Sequence, residues 1–312
     1  MEGNNNTNKI DIAVLGHILN EKIIFTDRQI YPVLGSPAAY SSACMASLGS
    51  KVGVVTKIGR GFPQSLLKVF DELMVNKDGV VIGKNSTNNE LIYNACGNKT
   101  LRFVTKAEEI FFTDIPNSYF GAEIFYICPM DYEVNVKTIE KISNLGKIMA
   151  VDLGGYGGGT SDTHPEGKDG NEIKKLCPYF NIVKASIEDY YYIFGAHTCD
   201  EKEISRKLIG WGAEISAITL GEKGSFIKTK DNESYIPSFP IKRVVDQTGA
   251  GDCYSAGFLV SFLVNEDPYV SAMYATAATS YVVERSGGVV ASRMPDMGEV
   301  EKRVKIIKNL MK

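Results

Sequence analysis

The sequence predicts an α/β protein: a mostly parallel, doubly wound sheet flanked by helices, with a small second β-sheet attached. Three features point that way. Strand-length apolar runs alternate with helix-period segments from Lys9 onward, and such alternation requires crossover connections between parallel strands. Two pairs of strand-like segments, near 20–35 and 88–106, are inserted into that alternation. Finally, Val244–Tyr254 reads as strand end, glycine turn and helix start, and Ala256, Phe258, Leu259, Phe262 and Leu263 follow at helical spacing.

Taken in order, Lys9–Leu15 reads as a buried strand ending at Gly16. Ile23–Val33 alternates and carries Phe25, Tyr31 and Pro32, which predicts a more exposed strand pair. Gly35-Ser36-Pro37 breaks the chain before Ala38–Leu48, whose small residues predict a helix packed closely on a sheet and ended by Gly49. Lys51–Thr56 reads as a strand and Pro63–Leu73 as a helix with proline at its start. Gly83–Asn89 is polar and turn-like, and Gly97-Asn98 joins strands Glu90–Cys96 and Thr100–Thr105 as a hairpin.

From Ala122 the alternation resumes, with strands at 124–127, 147–151, 181–183 and 215–220 and helices at 136–145, 187–194 and 200–210. Gly221–Gly224 turns into a strand at 225–229. Helices follow at 249–264 and 268–285, and an amphipathic one at 296–311 has a basic C-terminal end. Gly154–Asn171 is glycine-rich, but no apolar helix follows it as a dinucleotide fingerprint requires. A mobile loop over the strand ends is expected there.

The 312 residues suffice for a large core, and 44% hydrophobic with 23% charged is ordinary for a globular protein. A net charge of -3 gives no reason to expect nucleic acid or a membrane surface as partner. No apolar run spans a bilayer, and Met1–Asn6 lacks a signal peptide's apolar core, so a cytoplasmic protein is expected. The six cysteines form no Cys-x-x-Cys pair and have no histidine at ligand spacing, which favours reduced thiols over zinc or disulfides. His17, His164 and His197 offer little to chemistry built on a histidine triad.

Chemistry concentrates at 246–252. A helix N-terminus carries orphan N–H donors and attracts anions. Asp252 in the first turn would serve as an ordinary cap, yet the two glycines beside it clear space for a ligand. A phosphoryl group over the Gly249, Ala250 and Gly251 amides would face Asp252 as a base for a hydroxyl proton.

Asp246-x-Thr248-Gly249-Ala250-Gly251-Asp252 followed by an apolar helix resembles the signature of the ribokinase-like carbohydrate kinases of the phosphofructokinase-B type. The resemblance covers about residues 9–305. It implies a ribokinase-like fold, with 9–19, 36–87 and 107–312 as the α/β nucleotide-binding and catalytic domain and 20–35 and 88–106 as a β-sheet lid over the substrate. It also implies Asp252 as catalytic base, Gly249-Ala250-Gly251 as anion hole, ATP and Mg2+ as cofactors, and a K+ site near Asp246 and the Thr248 carbonyl, completed by Arg285–Gly288.

Four further patches match the family. Glu21 stands five residues after Gly16, where the family places a substrate-binding Asp. Gly35, Ser36 and Tyr40 replace a Gly-Gly and Asn pattern on the substrate side, and Tyr40 offers a ring to stack, nearer the inositol and nucleoside branches. Lys184-Ala185-Ser186-Ile187-Glu188-Asp189 stands for Asn-x-x-Glu, implying that Lys184 and Ser186 lie at the nucleotide and Asp189 orients magnesium through water; an N-cap is the structural alternative for Ser186. Thr219, Gly221 and Gly224 would line the nucleotide, with Thr276 on the adenine side. Arg60-Gly61, Gly154 and Tyr156 depart from the family's substrate-side pattern.

The implied activity is transfer of the ATP γ-phosphoryl group to a hydroxyl of a sugar or polyol. A nucleoside kinase of adenosine or cytidine type is the alternative, and a non-catalytic sugar sensor is the rival outside enzymes. A dehydrogenase lacks its fingerprint after the first strand. The expected partner is a small-molecule sugar, polyol or nucleoside, with no nucleic acid and no membrane. A homodimer through the lid would use Ile23, Phe25, Leu91, Tyr93 and Phe103.

Overall fold

The computed structural model describes residues 9–94, 99–164, 170–195 and 200–312. The first half runs β1 (Ile12–Leu15), β2 (Leu19–Ile24), β3 (Gln29–Gly35), α1 (Pro37–Ser47), β4 (Val52–Gly59), α2 (Lys68–Glu72), β5 (Asn76–Gly83), β6 (Thr87–Tyr93) and β7 (Lys99–Thr105). Then come β8 (Ile124–Ile127), α3 (Val136–Ser143), β9 (Ile148–Asp152), α4 (Asn171–Leu176), β10 (Ile182–Ser186), α5 (Ile187–Phe194) and α6 (Glu201–Gly210). The chain closes with β11 (Ile215–Thr219), β12 (Ser225–Thr229), β13 (Glu233–Ile236), α7 (Ala250–Asn265), α8 (Pro268–Val283) and α9 (Met297–Leu310).

Nine strands form the large sheet in the order β13-β12-β11-β10-β9-β8-β1-β4-β5. From β11 to β5 every pairing is parallel, and β12 and β13 add an antiparallel edge. β1 shows why the sheet is covered on both faces. Its four residues are all buried, and because side chains alternate, Ile12 and Val14 join the core under α1, α7, α8 and α9. Ala13 and Leu15 join the core on the other face, under α3, α4, α5 and α6. Close packing of α7 on α8 depends on Gly257, where a Cβ would stand 2.9 Å from the Ala275 Cα.

The second sheet has the order β3-β2-β6-β7. It leaves the large sheet at the C-terminal ends of β1 and β5 and returns through β3 into α1. Parallel α/β sheets bind ligands at that end of their strands. Four of the apolar residues considered for a dimer surface make contacts within the molecule. Phe25 stacks on Tyr93 at 5.1 Å, Lys106 lies over Phe103, and Leu91 is buried against the cleft described below.

Several elements differ from expectation. Val244 and Val245 are 46% and 47% exposed and belong to no strand. The approach to α7 is held instead by the Val245 and Asp246 amides, which donate to the Val283 carbonyl at 2.8 and 3.2 Å. The 63–73 segment begins as a 3-10 turn at Gln64–Leu67, with only Lys68–Glu72 α-helical. Part of the polar 83–89 stretch is the start of β6, and β5 is a further, mostly half-exposed edge strand with a polar start at Asn76-Lys77-Asp78. The glycine-rich stretch is no open loop over 154–161. Gly155 and Gly158 pack so closely that a Cβ would lie 2.0 Å from the Pro129 carbonyl oxygen and 2.3 Å from Asp189 Oδ1. The Gly97-Asn98 turn lies outside the described residues.

Candidate active site

α7 opens on Gly249 in the left-handed region, φ 77°. Only glycine suits this position, because a Cβ would also stand 2.4 Å from the Tyr40 ring. Gly249→Ala is therefore expected to destabilise the protein by roughly 1–3 kcal/mol, read from the denaturant midpoint at unchanged m-value. The Ala250 amide donates to the Gln247 carbonyl at 3.0 Å. The Gly251 and Asp252 amides follow in the first helical turn, at the positive end of the helix. Of the three expected anion-hole members, then, Ala250 is already engaged in the turn.

The half-buried Asp252 lines a cleft of about 670 Å³ between the second sheet and the C-terminal ends of the parallel strands. Thr248 and Gly249 share that wall. Leu19, Leu91 and Leu101 contribute apolar surface from the second sheet, and Glu21 and Asn89 supply its polar centre. Asn89 Nδ2 donates to Glu21 Oε1 at 3.0 Å, which fixes the carboxylate in the cleft. At another part of the wall His164 stacks on Tyr192 at 4.4 Å, and Tyr191 meets Tyr192 edge-on.

Ser36 and Tyr40 line the same cleft. Ser36 has φ 112° and ψ 158°, a backbone region that glycine adopts and other residues avoid. Its Oγ accepts from the Ala39 amide at 3.0 Å as the cap of α1. Strain of about 1–3 kcal/mol exceeds the few tenths by which serine outranks glycine as a cap, so Ser36→Gly is expected to raise stability by roughly 1 kcal/mol. A fall in the unfolding midpoint would contradict that weighing. Tyr40 is buried, and burial holds its phenol neutral by raising its pKa, with the Arg293 charge opposing.

Beneath the α7 N-terminus lies a buried ion pair, Lys184 Nζ to Asp152 Oδ2 at 2.7 Å. Lys184 Nζ also comes within 3.0 Å of where a Cβ on Gly251 would stand. Burial acts to lower the Lys184 pKa, but the carboxylates of Asp152, Asp189 and Asp252 outweigh it and leave it raised. The lysine is thus a fixed positive charge against the first turn of α7.

Ser186 caps α5, and Asp189 closes a capping box: Asp189 Oδ2 accepts from the Ser186 amide at 2.6 Å and its Oγ at 2.8 Å. Asp189 Oδ1 accepts from the Gly159 amide at 2.8 Å. Its neighbour Glu188 lines the cleft instead. Among the described residues no group of three or more His, Cys, Asp or Glu side chains is arranged around a metal. Magnesium is commonly bound through one or two carboxylates, with phosphate and water completing the octahedron, and Glu188 with Asp189 behind it suits that arrangement.

Thr219 lies beside Ser186 at the ends of paired strands β11 and β10, and its hydroxyl donates to the Ala185 carbonyl at 3.4 Å. Gly221 and Gly224 turn there with φ 61° and 94°. Thr276 is buried on α8, one turn before Thr279, whose hydroxyl donates to the Ala250 carbonyl at 3.3 Å. These four residues stand outside the cleft wall that carries Asp252. Arg60 and Gly61 line a separate groove with Lys57, Lys84 and Glu108.

The Asp246 and Thr248 carbonyls, expected beside a monovalent cation, accept from the guanidinium of Arg293 at 3.0 and 2.9 Å. Arg293, Asn89, Tyr191 and Tyr192 belong to this region although no sequence motif contains them. Nothing in the local pattern marks a lone arginine in Ala291-Ser292-Arg293-Met294. The aromatic run Tyr190-Tyr191-Tyr192 on a predicted helix was the one available signal.

Residues 11–295 match the pfkB family of carbohydrate kinases. A cytidine kinase of Thermococcus kodakarensis is 30% identical over 261 residues, covering 81% of this chain and 88% of that protein. Among solved structures, a fructokinase of Xylella fastidiosa with bound ATP superimposes with a TM-score of 0.79 and 19% identity, over 96% of this chain and 99% of that one. A nucleoside kinase of Methanocaldococcus jannaschii gives a TM-score of 0.74 and 18% identity over 96% and 99%.

Proposed function

Because the chain belongs to the pfkB family of carbohydrate kinases, we propose that it transfers the γ-phosphoryl group of ATP to a hydroxyl of a nucleoside, with Asp252 as the base. The observation carrying the nucleoside reading is the composition of the cleft. Glu21 and Asn89 provide acceptors and a donor for sugar hydroxyls, and the Tyr191, Tyr192 and His164 cluster provides aromatic surface for a base. The C–H face of a sugar can also pack on such rings, but a flat base gains the most from them. The 30% identity to a cytidine kinase favours a pyrimidine nucleoside as the first acceptor to try.

In this reading Asp252 accepts the proton of the attacking hydroxyl. The Gly251 and Asp252 amides and the Lys184 ammonium meet the charge developing on the phosphoryl oxygens. Leu91 and Leu101 on the second sheet, acting as a lid, exclude water that would otherwise receive the phosphoryl group. Mg2+ would be held near Glu188 and Asp189, where it neutralises phosphate charge.

A screen of cytidine, uridine, adenosine, ribose, fructose and myo-inositol with ATP and Mg2+ tests the reading. A nucleoside should give the highest kcat/KM. A free sugar or inositol ahead of every nucleoside would return the assignment to the sugar or polyol kinases. Base–aromatic stacking is worth about 1–3 kcal/mol, so Tyr191→Ala should lower nucleoside kcat/KM by about 10–100-fold and leave that for ribose unchanged.

A further inference from the structure

The guanidinium of Arg293 is enclosed by oxygen atoms. Nη2 donates to the Asp246 and Thr248 carbonyls at 3.0 and 2.9 Å, Nη1 to the Tyr40 hydroxyl at 3.1 Å and the Gly288 carbonyl at 3.4 Å. Nε donates to the Arg285 carbonyl at 3.0 Å and the Val282 carbonyl at 3.4 Å. Asp246 Oδ2 adds a carboxylate at 3.5 Å from Nη2. Arg293 as a whole is 1% exposed.

Five backbone carbonyls gathered around one buried cationic group make the kind of oxygen-rich surrounding that takes up a dehydrated monovalent cation. Here they come from the turn before α7, the end of α8 and the loop after it. Their lone pairs are taken by a planar, permanently charged group with five N–H donors. An ion at the centre of these oxygens would overlap the guanidinium. The residues present therefore do not fit a K+ site between Asp246 and Thr248.

We infer that Arg293 is a covalently attached cation that does the work of a monovalent ion, making this enzyme's α7 turn independent of potassium. Asp246 and Thr248 immediately precede Gly249, so pinning their carbonyls fixes the peptide planes that lead to the Gly251 and Asp252 amides. The same guanidinium holds the Tyr40 hydroxyl, and the Tyr40 ring packs on Gly249. Arg293 is thus a positioning residue, acting on the anion hole through two routes.

The activity arm of the test rests on the kinase reading; a melting arm does not. In wild-type protein, kcat/KM should agree within about twofold between KCl, NaCl and tetramethylammonium chloride at matched ionic strength, because the cage is already filled. The thermal midpoint should likewise be the same in KCl and tetramethylammonium chloride. Activation by K+ of tenfold or more, or a midpoint that rises with K+ alone, overturns the inference. Arg293→Ala should lower kcat/KM by about 10–100-fold, and K+ or free guanidinium should restore part of the loss. A folded Arg293→Ala enzyme that stays impaired in both ions also overturns it. If no acceptor is turned over by wild type, the kinase reading fails, and the wild-type melting comparison still decides the role of Arg293.

Discussion

Asp252→Asn is expected to lower kcat by about 10²–10⁴-fold, the range lost with a positioned general base. Asparagine keeps the shape of the side chain in the first turn of α7, whose N-cap is Gly249, so the fold should be retained. What it lacks is a carboxylate able to take a hydroxyl proton. KM for ATP should move little, and a melting curve that matches wild type would exclude misfolding as the cause. Unchanged turnover on the best acceptor would remove Asp252 from the chemistry.

Lys184→Met carries the second large effect, and here stability and catalysis must be separated. Removing the ammonium strands the buried Asp152 carboxylate, which also accepts from the Gly154 amide at 3.0 Å. An uncompensated buried charge of this kind costs about 3–5 kcal/mol. Replacing both members, Lys184→Met with Asp152→Asn, removes that penalty and should recover most of the stability. Activity should stay down by about 10²–10³-fold in the double variant, because the charge against the Gly251 turn is still missing. Recovery of activity along with stability would mean that Lys184 serves only to neutralise Asp152.

The parts of this protein legible in its sequence are those whose residue types are set by short-range physics. β1 and β8 are uniformly apolar because both faces of the sheet are covered, and such runs read directly as buried strands. The Gly249–Asp252 turn is equally plain, since its backbone φ and the close Tyr40 ring demand glycine. The strand expected at Val244-Val245 failed because β-branched residues indicate an extended backbone, and an extended backbone need not pair. β5 is harder to read because this edge strand opens on polar Asn76-Lys77-Asp78 and offers only the short run Val80-Val81-Ile82 between two glycines.

The site divides in the same way. Asp252 and its amides are contiguous, so a motif contains them. The cleft wall opposite them is assembled from Glu21, Asn89, His164 and Tyr191, which only the topology brings together. Asp189 shows the limit of a motif match: its carboxylate oxygens are taken up by Ser186 and the Gly159 amide, and Glu188 beside it faces the cleft. Arg293 lies 45 residues from Thr248 in the chain, so no local pattern announces that its guanidinium reaches the turn before α7.

In the proposed reaction a hydroxyl and a phosphoryl group meet between Asp252 and the first turn of α7. A crystal structure with cytidine and a non-hydrolysable ATP analogue measures this directly. An acceptor hydroxyl should lie about 2.6–3.2 Å from an Asp252 carboxylate oxygen, with the terminal phosphate facing the Gly251 and Asp252 amides. A nucleotide whose terminal phosphate lies away from that turn, or an acceptor bound out of reach of Asp252, would contradict it.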